Sequence, residues 1–311
     1  MDQTYTTIHI DYEKWSNPKI ILESIVVKGA FDNGSTWSYK INNNSSSLNV
    51  PKKEFNPLFA SGTGEDNNPY IISNFRHLNN IRYRITSVYT GNKGNYEKRI
   101  YGSYKLNYDI AMNASHEWKP IDAPFYGTLD GSSKTIHNMR ITIPNHVISN
   151  QNQQMYGLFK NVAGKIRNIN LKSVYISGNA QHEGDDVYVG AFAGYLTGII
   201  DNCKVFGKIE VERRYSYTGG LSGILQDNGK ILNSENNAII KGYGTTGGIV
   251  GLMDAYSEIG YSTNKGEVNL YSIGYDLSYN NAGGIAGQAK FRSSIKTSVN
   301  KGIVSCSGNI L

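Results

Sequence analysis

A glycine-centred unit that recurs along the C-terminal half of the chain constrains the fold more than any other feature. The units begin YGLFKN, VGAFAG, TGGLSG, TGGIVG and AGGIAG, and their first glycines are Gly157, Gly190, Gly219, Gly247 and Gly283. Successive glycines lie 33, 29, 28 and 36 residues apart. A unit of this length contains only short strands and cannot bury its own apolar face, so it must stack on its copies.

Further landmarks keep the same register from unit to unit. An isoleucine follows each glycine at a nearly constant distance: Ile166, Ile200, Ile231, Ile259 and Ile295. Asparagines stand two residues later in the first three units (Asn168, Asn202, Asn233) and five residues later in the last three (Asn236, Asn264, Asn300). The first set has the spacing of an asparagine ladder, in which side-chain amides bond from coil to coil, although turn asparagines would give the same pattern. We therefore predict an all-β fold, a right-handed parallel β-helix (β-solenoid) with one inward isoleucine column.

The chain divides into two predicted domains. Residues 1–54 are expected to form a small N-terminal β-module or cap, with strands at 4–12, 19–31 and 35–41 and a turn at 32–34. Residues 55–311 are expected to form the β-helix, with a non-repeating leading segment at 55–145 and about five coils at 156–311. Within the leading segment we predict a short helix at 73–81 capped by Ser73, a loop or hairpin inserted at 83–102, and a packing role for Trp118.

Composition and charge exclude several classes of function. The formal charge is +6, yet only 18% of residues are charged and the basic residues are scattered, so no nucleic-acid groove is expected. No apolar run approaches 18 residues, so the chain is not expected to span a membrane. The segment MDQTYTTIHI is not a signal peptide, so either a leader has been removed or export follows another route. The two cysteines are predicted to be free thiols in different columns, with Cys306 the more clearly in the core.

The repeats resemble the GLUG motif, which is named for its glycine-rich core. The leading segment resembles the stretch that often precedes such repeats, in the pieces Phe59 to Ile72, Trp118 to Ile121 and Phe125 to Gly131. The resemblance covers residues 55–311 and implies a bacterial secreted or cell-surface protein, such as an adhesin-like chain or a non-catalytic part of a peptidase. The family has no agreed catalytic motif, so it implies no catalytic residue.

One candidate site lies in the loop before the second unit. Glu183, Asp185 and Asp186 could bind a calcium ion through carboxylate oxygens, although Asp-rich turns are common and a resident cofactor is not expected. Counting back from the unit glycines places Asp185 one coil below Arg214. These residues could form a site for an acidic sugar, or only a surface ion pair that contributes about 0–1 kcal/mol.

A second candidate site is a group of tyrosines before the last unit. Tyr271, Tyr275 and Tyr279 fall in the longest insertion, and their rings could stack on sugars or on partner side chains. They could equally fold over the edge of the solenoid.

The sequence thus predicts an extracellular or cell-surface solenoid that acts as an adhesin, a ligand-binding module or a structural display module. Its expected partner is a host or bacterial surface glycan or protein. The alternatives are a carbohydrate-active β-helix enzyme, such as a polysaccharide lyase or depolymerase, and a non-catalytic region of a larger toxin or peptidase. The bare C-terminal edge is expected either to continue into further sequence or to self-associate or bind a partner.

Overall fold

A computed structural model describes residues 24–30, 36–42, 58–91, 96–113, 115–144, 153–179, 186–273 and 280–309. The chain forms two compact units, Met1–Pro57 and Leu58–Leu311. In the first unit, β1 (Ser24–Ala30) and β2 (Thr36–Asn42) pair antiparallel from Ser24 with Asn42 to Ala30 with Thr36. The predicted strand at 4–12 and the predicted turn at 32–34 lie outside the described residues.

The second unit is a parallel β-solenoid of about six turns, as the repeats predict. Each full coil passes through four sheets in the order A, B, C, D. Sheet A contains β11 (Gln153–Tyr156), β15 (Asp186–Val189), β19 (Ser216–Gly219), β24 (Thr245–Gly247) and β29 (Ala282–Gly283). Sheet B contains β12 (Phe159–Val162), β16 (Ala193–Leu196), β20 (Ser222–Leu225), β25 (Val250–Met253) and β30 (Ala286–Ala289).

The other two sheets extend down into the leading segment. Sheet C contains β3 (Tyr70–Ile72), β6 (Ser103–Leu106), β8 (Thr128–Asp130), β13 (Lys165–Arg167), β17 (Ile199–Asp201), β21 (Lys230–Leu232), β26 (Glu258–Gly260) and β31 (Ser294–Lys296). Sheet D contains β7 (Ile110–Ala111), β9 (Thr135–His137), β10 (Arg140–Ile143), β14 (Asn170–Asn179), β18 (Lys204–Glu212), β22 (Glu235–Asn236), β23 (Ile239–Gly242), β27 (Thr263–Asn264), β28 (Val268–Ile273), β32 (Val299–Asn300) and β33 (Val304–Asn309).

Alternating residues explain why these segments form strands with one buried face. In β18, Val205, Ile209 and Val211 are buried, while the lysines and glutamates between them are partly exposed. Side chains in a strand point alternately to opposite faces, so this pattern places the aliphatic residues inside the coil. The core therefore runs as a continuous apolar column along the solenoid.

The predicted isoleucine column is confirmed. Ile166 pairs with Ile200, and the register continues through Ile231 and Ile259 to Ile295 in sheet C. The first four are fully buried, whereas Ile295 is 45% exposed because it belongs to the last described coil. Below Ile166 the column continues into the leading segment at Leu129.

The asparagine prediction is correct in part. Asn202 donates to Asn168 over 2.8 Å, but Asn233 donates to Asp201 over 2.9 Å, so this exposed ladder changes partner. All three asparagines have positive φ, near 50°, and therefore also serve as turn residues. The continuous ladder is the other set, shown by the bonds Asn236–Asn264 (2.7 Å) and Asn264–Asn300 (2.8 Å).

This inner ladder explains the paired glycines of the last three units. A Cβ atom on the second glycine would lie 2.6 Å from Asn236 Cγ at Gly220 and 2.3 Å from Asn264 Cγ at Gly248. Such a contact is too short for any side chain, so only glycine leaves room for the ladder amide. Ser234 and Ser262 form a second inner ladder, since the Ser234 N–H donates to Ser262 Oγ over 3.2 Å.

The leading segment confirms two predictions and corrects one. The inserted stretch is an antiparallel hairpin of β4 (Ile85–Tyr89) and β5 (Tyr96–Ile100). Trp118 is 4% exposed and its indole donates to the Leu158 carbonyl over 3.0 Å, in agreement with a packing role. Helix α1 (Phe75–Asn80), followed by a 3-10 turn at Ile81–Tyr83, is capped by Asn74 rather than Ser73. The Asn74 side chain accepts the His77 N–H over 2.9 Å, as an N-cap requires.

The prediction for the thiols is correct in register and wrong in burial. Both cysteines are free, and Cys306 lies level with Leu270 as expected. However, Cys203 is buried and Cys306 is exposed. No described strand pairs with β33 on its other side, so inward residues of the last described coil remain open to solvent, such as Val304, which is level with the buried Val268 but 39% exposed.

Candidate functional site

Tyr271 lies on the outer face of sheet D. Its ring stacks on that of Tyr243, with centroids 5.7 Å apart and planes inclined by 27°, and Lys241 Nζ lies 6.0 Å from the Tyr271 ring centroid. Desolvation and nearby acidic groups raise the pKa of Tyr243. The structure thus places Tyr271 in an aromatic pair, while Tyr275 and Tyr279 lie outside the described residues.

Asp186 and Arg214 lie at the corner between sheets D and A. Val187 pairs with Ser216, so Asp186 lies level with Tyr215, beside Arg214. Arg214 is half-buried, and its guanidinium lies 5.9 Å from the centre of the Tyr215 ring. Tyr188 donates to the Asp186 carboxylate over 3.5 Å. Asp185 and Glu183 lie outside the described residues, so the predicted Asp185–Arg214 relation stays a prediction.

Within the part of the chain that the structure describes, no three His, Cys, Asp or Glu side chains group as a metal site requires. Two of the three carboxylates in the calcium hypothesis, Glu183 and Asp185, lie outside the described residues. The hypothesis therefore stays a prediction.

A polar groove on the outer face of sheet C is the concave site that the structure brings together. We call it the basal groove. Its volume is about 480 Å³, and it is lined by Asp66, Asn67, Pro69, Ser103, Tyr104, Lys105, Thr128, Asp130, Lys165 and Arg167. A groove of this size is within the range that holds small ligands.

The loop from Gly62 to Pro69 forms one wall of the basal groove. The Ser103 N–H donates to the Gly64 carbonyl over 2.8 Å, and the Ser103 hydroxyl donates to Asp66. Gly62 has a φ of +94°, and a Cβ there would lie 1.9 Å from the Pro69 carbonyl oxygen. The tight turn therefore requires glycine at this position, and its bonds to Ser103 attach the wall to the sheet.

The carboxylate in the groove floor, Asp130, accepts three hydrogen bonds. It accepts from Arg167 Nε over 2.9 Å, from the Asn168 amide over 3.1 Å and from the Ser132 N–H over 2.8 Å. Desolvation alone would raise the pKa of Asp130. The three hydrogen bonds and the charge of Arg167 outweigh it and hold this pKa below its usual value. A carboxylate in this state is a weak base, so it suits structure and binding better than proton abstraction.

Positive and negative charges alternate along the outer column of sheet C. Lys105 pairs in register with Asp130, Asp130 with Arg167, and Arg167 with Asp201. Arg167 reaches down to Asp130, and Lys165 Nζ lies 3.5 Å from Asp201. Among the described residues, Lys105 has no carboxylate within ion-pair distance, so its ammonium group faces the groove without a paired anion.

Sequence reasoning missed this groove because it concentrated on the loops between units. A signal was present, since Lys165 and Arg167 flank the landmark Ile166 and must point outward if Ile166 points inward. The repeat register also puts Asp201 beside Arg167. What the repeats could not supply was the position of the non-repeating loop at 62–69, which makes the outer face concave.

The fold and surface define the class: a parallel β-solenoid repeat protein with a polar groove on one outer face. No protein-family model matches the chain, so the GLUG resemblance stays a prediction. In the part of the chain that the structure describes, there is no helix with the length and apolarity needed to cross a membrane.

Two curated proteins are similar over parts of their length. The chain is 31% identical over 158 residues to a "Putative Gly-rich membrane protein" of Evansella cellulosilytica, which covers 48% of this chain and 16% of that protein. It is 26% identical over 203 residues to Halomucin of Haloquadratum walsbyi, which covers 61% of this chain and 2% of Halomucin. The chain thus spans a small fraction of the length of either relative.

One solved structure shares the fold. It is described as a "putative immunoglobulin A1 protease" from Bacteroides ovatus, with a TM-score of 0.52 and 18% identity over 80% of each chain. At this identity the similarity concerns the fold alone.

Proposed function

We propose that this chain is a non-catalytic binding and display region of a secreted or cell-surface protein. The observation that carries the proposal is the state of Asp130, the carboxylate in the floor of the basal groove. Its oxygens accept three hydrogen bonds from Arg167, Asn168 and Ser132, and its pKa is lowered. The groove thus offers fixed polar contacts to a ligand rather than a base to a reaction.

The relatives support a surface location. One is named as a Gly-rich membrane protein, and both are several times longer than the matched segment. A parallel β-solenoid suits display because each coil contacts only its neighbours, so the fold makes an extended body with long outer faces. The partner we propose is a surface glycan or protein, bound in the basal groove, with the Tyr243–Tyr271 pair as a second contact surface.

A carbohydrate-active enzyme is the competing function. A lyase must abstract a proton with a positioned base, and such bases normally have a pKa moved toward the working pH. Asp130 is moved in the opposite direction. Arg167 forms an ion pair with Asp130 over 2.9 Å, so its charge is already engaged and is not free to neutralise the acidic group of a lyase substrate.

The solved structure suggests a further candidate, a region of a larger peptidase. The proposal here is that this chain would contribute binding rather than cleavage to such a protein. Incubation of the purified chain with immunoglobulin A1 is therefore expected to leave the antibody heavy chain intact on a denaturing gel.

The main test combines a glycan array with a lyase assay on acidic polysaccharides, read at 235 nm. We expect saturable binding to at least one glycan or surface protein and no unsaturated product. Appearance of unsaturated product would overturn the non-catalytic proposal. An Asp130→Asn variant is the control for that result, because a true base would lose turnover in it.

A further inference from the structure

From the charges that line the basal groove we infer that its ligand is a sugar with one negative charge per residue, as in a uronate, and that Lys105 binds that charge. This inference rests on the proposed binding function and specifies its ligand.

The first step is the polarity of the walls. The groove is lined by hydroxyl groups from Ser103 and Thr128, the amide of Asn67, and charged side chains, and Pro69 and Tyr104 complete the lining. Burying an apolar ligand there would desolvate these groups without giving them partners, which is unfavourable. A ligand rich in hydroxyl groups can pair with them, so the lining favours a carbohydrate.

The second step is the charge balance. The groove holds three cationic side chains, Lys105, Lys165 and Arg167, and two carboxylates, Asp66 and Asp130. Its net charge is therefore +1. Asp201, which lies outside the lining, pairs with Lys165, and Asp130 pairs with Arg167, so among the described residues Lys105 supplies the one cationic group of the groove without an ion pair. A single negative charge matches that one group, whereas a phosphate monoester at neutral pH brings about −1.5 to −2. The groove thus fits a monoanionic sugar better than a phosphorylated one.

The third step is which cation is available. Arg167 lies 2.9 Å from Asp130, and Lys165 lies 3.5 Å from Asp201. Lys105 has no carboxylate within ion-pair distance among the described residues, and it stands on the exposed outer face of β6. It can therefore bind a ligand anion without first breaking an internal ion pair.

The fourth step is the role of Asp66. One of its oxygens accepts the Ser103 hydroxyl, which leaves the other oxygen able to accept from a ligand hydroxyl. A carboxylate and a lysine in one groove suit a sugar acid, which has hydroxyl donors and an acidic group on the same ring. Asp66 is then a selectivity residue as well, because it repels a second negative charge.

The test measures binding of oligogalacturonate by calorimetry and compares it with its fully methyl-esterified, uncharged form. We expect the charged form to bind and the esterified form to bind at least about tenfold more weakly. Binding should also weaken as salt rises, because an exposed ion pair is screened at about 0.15 M ionic strength. Inorganic phosphate at equal concentration should compete poorly.

A matched pair of variants locates the site. Lys105→Glu should weaken oligogalacturonate binding at least about tenfold, since attraction is replaced by repulsion. Lys230→Glu is the control, because Lys230 is exposed on the same outer face of sheet C but lies above the groove. Thermal melts of both variants should stay close to the wild type.

The outcomes separate the inference from the function on which it rests. Equal binding of the charged and esterified oligomers, or equal loss in both variants, would overturn the anionic-sugar inference while leaving a binding function intact. No binding of oligogalacturonate, together with binding of a neutral glycan or a protein, would have the same meaning. Conversion of oligogalacturonate to unsaturated product would instead overturn the non-catalytic function.

Discussion

The lower and upper parts of the solenoid solve the same packing problem with different side chains. The lower part, from Leu58 to Glu212, has an interior of aliphatic and aromatic residues. Its rings form a continuous stack in which Phe125 and Phe159 are 4.6 Å apart and Phe125 and Tyr104 are 5.9 Å apart. The upper part, from Ser216 to Asn309, keeps an aliphatic core and combines it with inward serine and asparagine ladders.

Two facing columns change together between these parts. Hydrogen bonds link Leu158 to Ala191 and Ala191 to Gly220, so these positions stack. The facing column reads Leu171, Val205 and then Asn236. Where the polar amide enters, the opposite residue has become glycine, because a Cβ there would collide with the amide. The comparison teaches that a solenoid can exchange apolar packing for hydrogen bonding if it changes both columns in the same coil.

The labelling rates of the two thiols, Cys203 in the lower part and Cys306 in the upper part, should differ more than any other quantity predicted for the two parts. Burial raises the pKa of Cys203 to about 12, and its side chain is fully enclosed, whereas Cys306 is exposed. A buried thiol reacts only when the structure opens, so we expect native Cys203 to react at least about 1,000-fold more slowly than Cys306. Stopped-flow labelling with a disulfide reagent measures this, and two thiols should appear after denaturation. Equal rates would mean that the lower part is open at this coil.

Gly248→Ala should cause the largest loss of stability. The new Cβ would meet the Gly284 carbonyl at 2.2 Å and Asn264 Cγ at 2.3 Å, and a backbone carbonyl cannot move aside without opening the next coil. We expect a cost of about 3 kcal/mol or more in the free energy of unfolding. Ala191→Gly in the lower part is the matched change in the opposite direction, and it should cost only about 1 kcal/mol. Chemical denaturation measures the free energy of unfolding of both variants. Similar losses in the two variants would contradict the comparison.

Asn264→Ala tests the polar ladder itself. Asn264 accepts from Asn236 and donates to Asn300 and to the Gly266 carbonyl, all within 2.9 Å. Its removal leaves buried partners unsatisfied, so we expect a loss of about 2–3 kcal/mol. Asn202→Gly removes an exposed ladder amide while keeping a residue that accepts positive φ, and it should cost less than about 1 kcal/mol. Similar melting temperatures for the two variants would show that the inner ladder contributes little.

The adjacent arginines at the junction of the two parts should give the smallest difference in stability between two matched variants. Arg213 is 3% exposed and donates to the Pro144 carbonyl over 2.7 Å, so Arg213→Ala should cost about 2 kcal/mol. Arg214 is half-buried at the surface, and Arg214→Ala should cost less than about 1 kcal/mol. Thermal melts of the pair decide this. A larger loss for Arg214→Ala would instead support the predicted site with Asp185.

The sequence predicted the repeating part of this molecule well, because residues at equivalent positions of successive repeats stack on one another. Ile200 and Ile231 occupy the same place in successive units, so parallel stacking alone brings them together. The exposure of Cys306 could not be read in this way, because register fixes which side a residue faces but not whether another coil covers it. The outward positions of Lys165 and Arg167 in the basal groove followed from the same register. The groove also depends on the non-repeating loop at 62–69, which bonds to Ser103, and the repeats gave no signal for the position of that loop.

The stacking register also determines how the molecule would respond to mechanical tension. Bonds between coils run along the solenoid axis, so a pulling force along that axis acts on one coil boundary before the next. At an upper boundary the Asn236–Asn264 amide bond shares the force with the backbone bonds of the same coil. Each coil that yields would release 28 to 36 residues, to judge from the spacing of the unit glycines. At about 3.3 Å per extended residue, this corresponds to a lengthening of roughly 100 Å per step. Under shear at a surface, such a chain would act as an extensible tether that gives way in discrete steps.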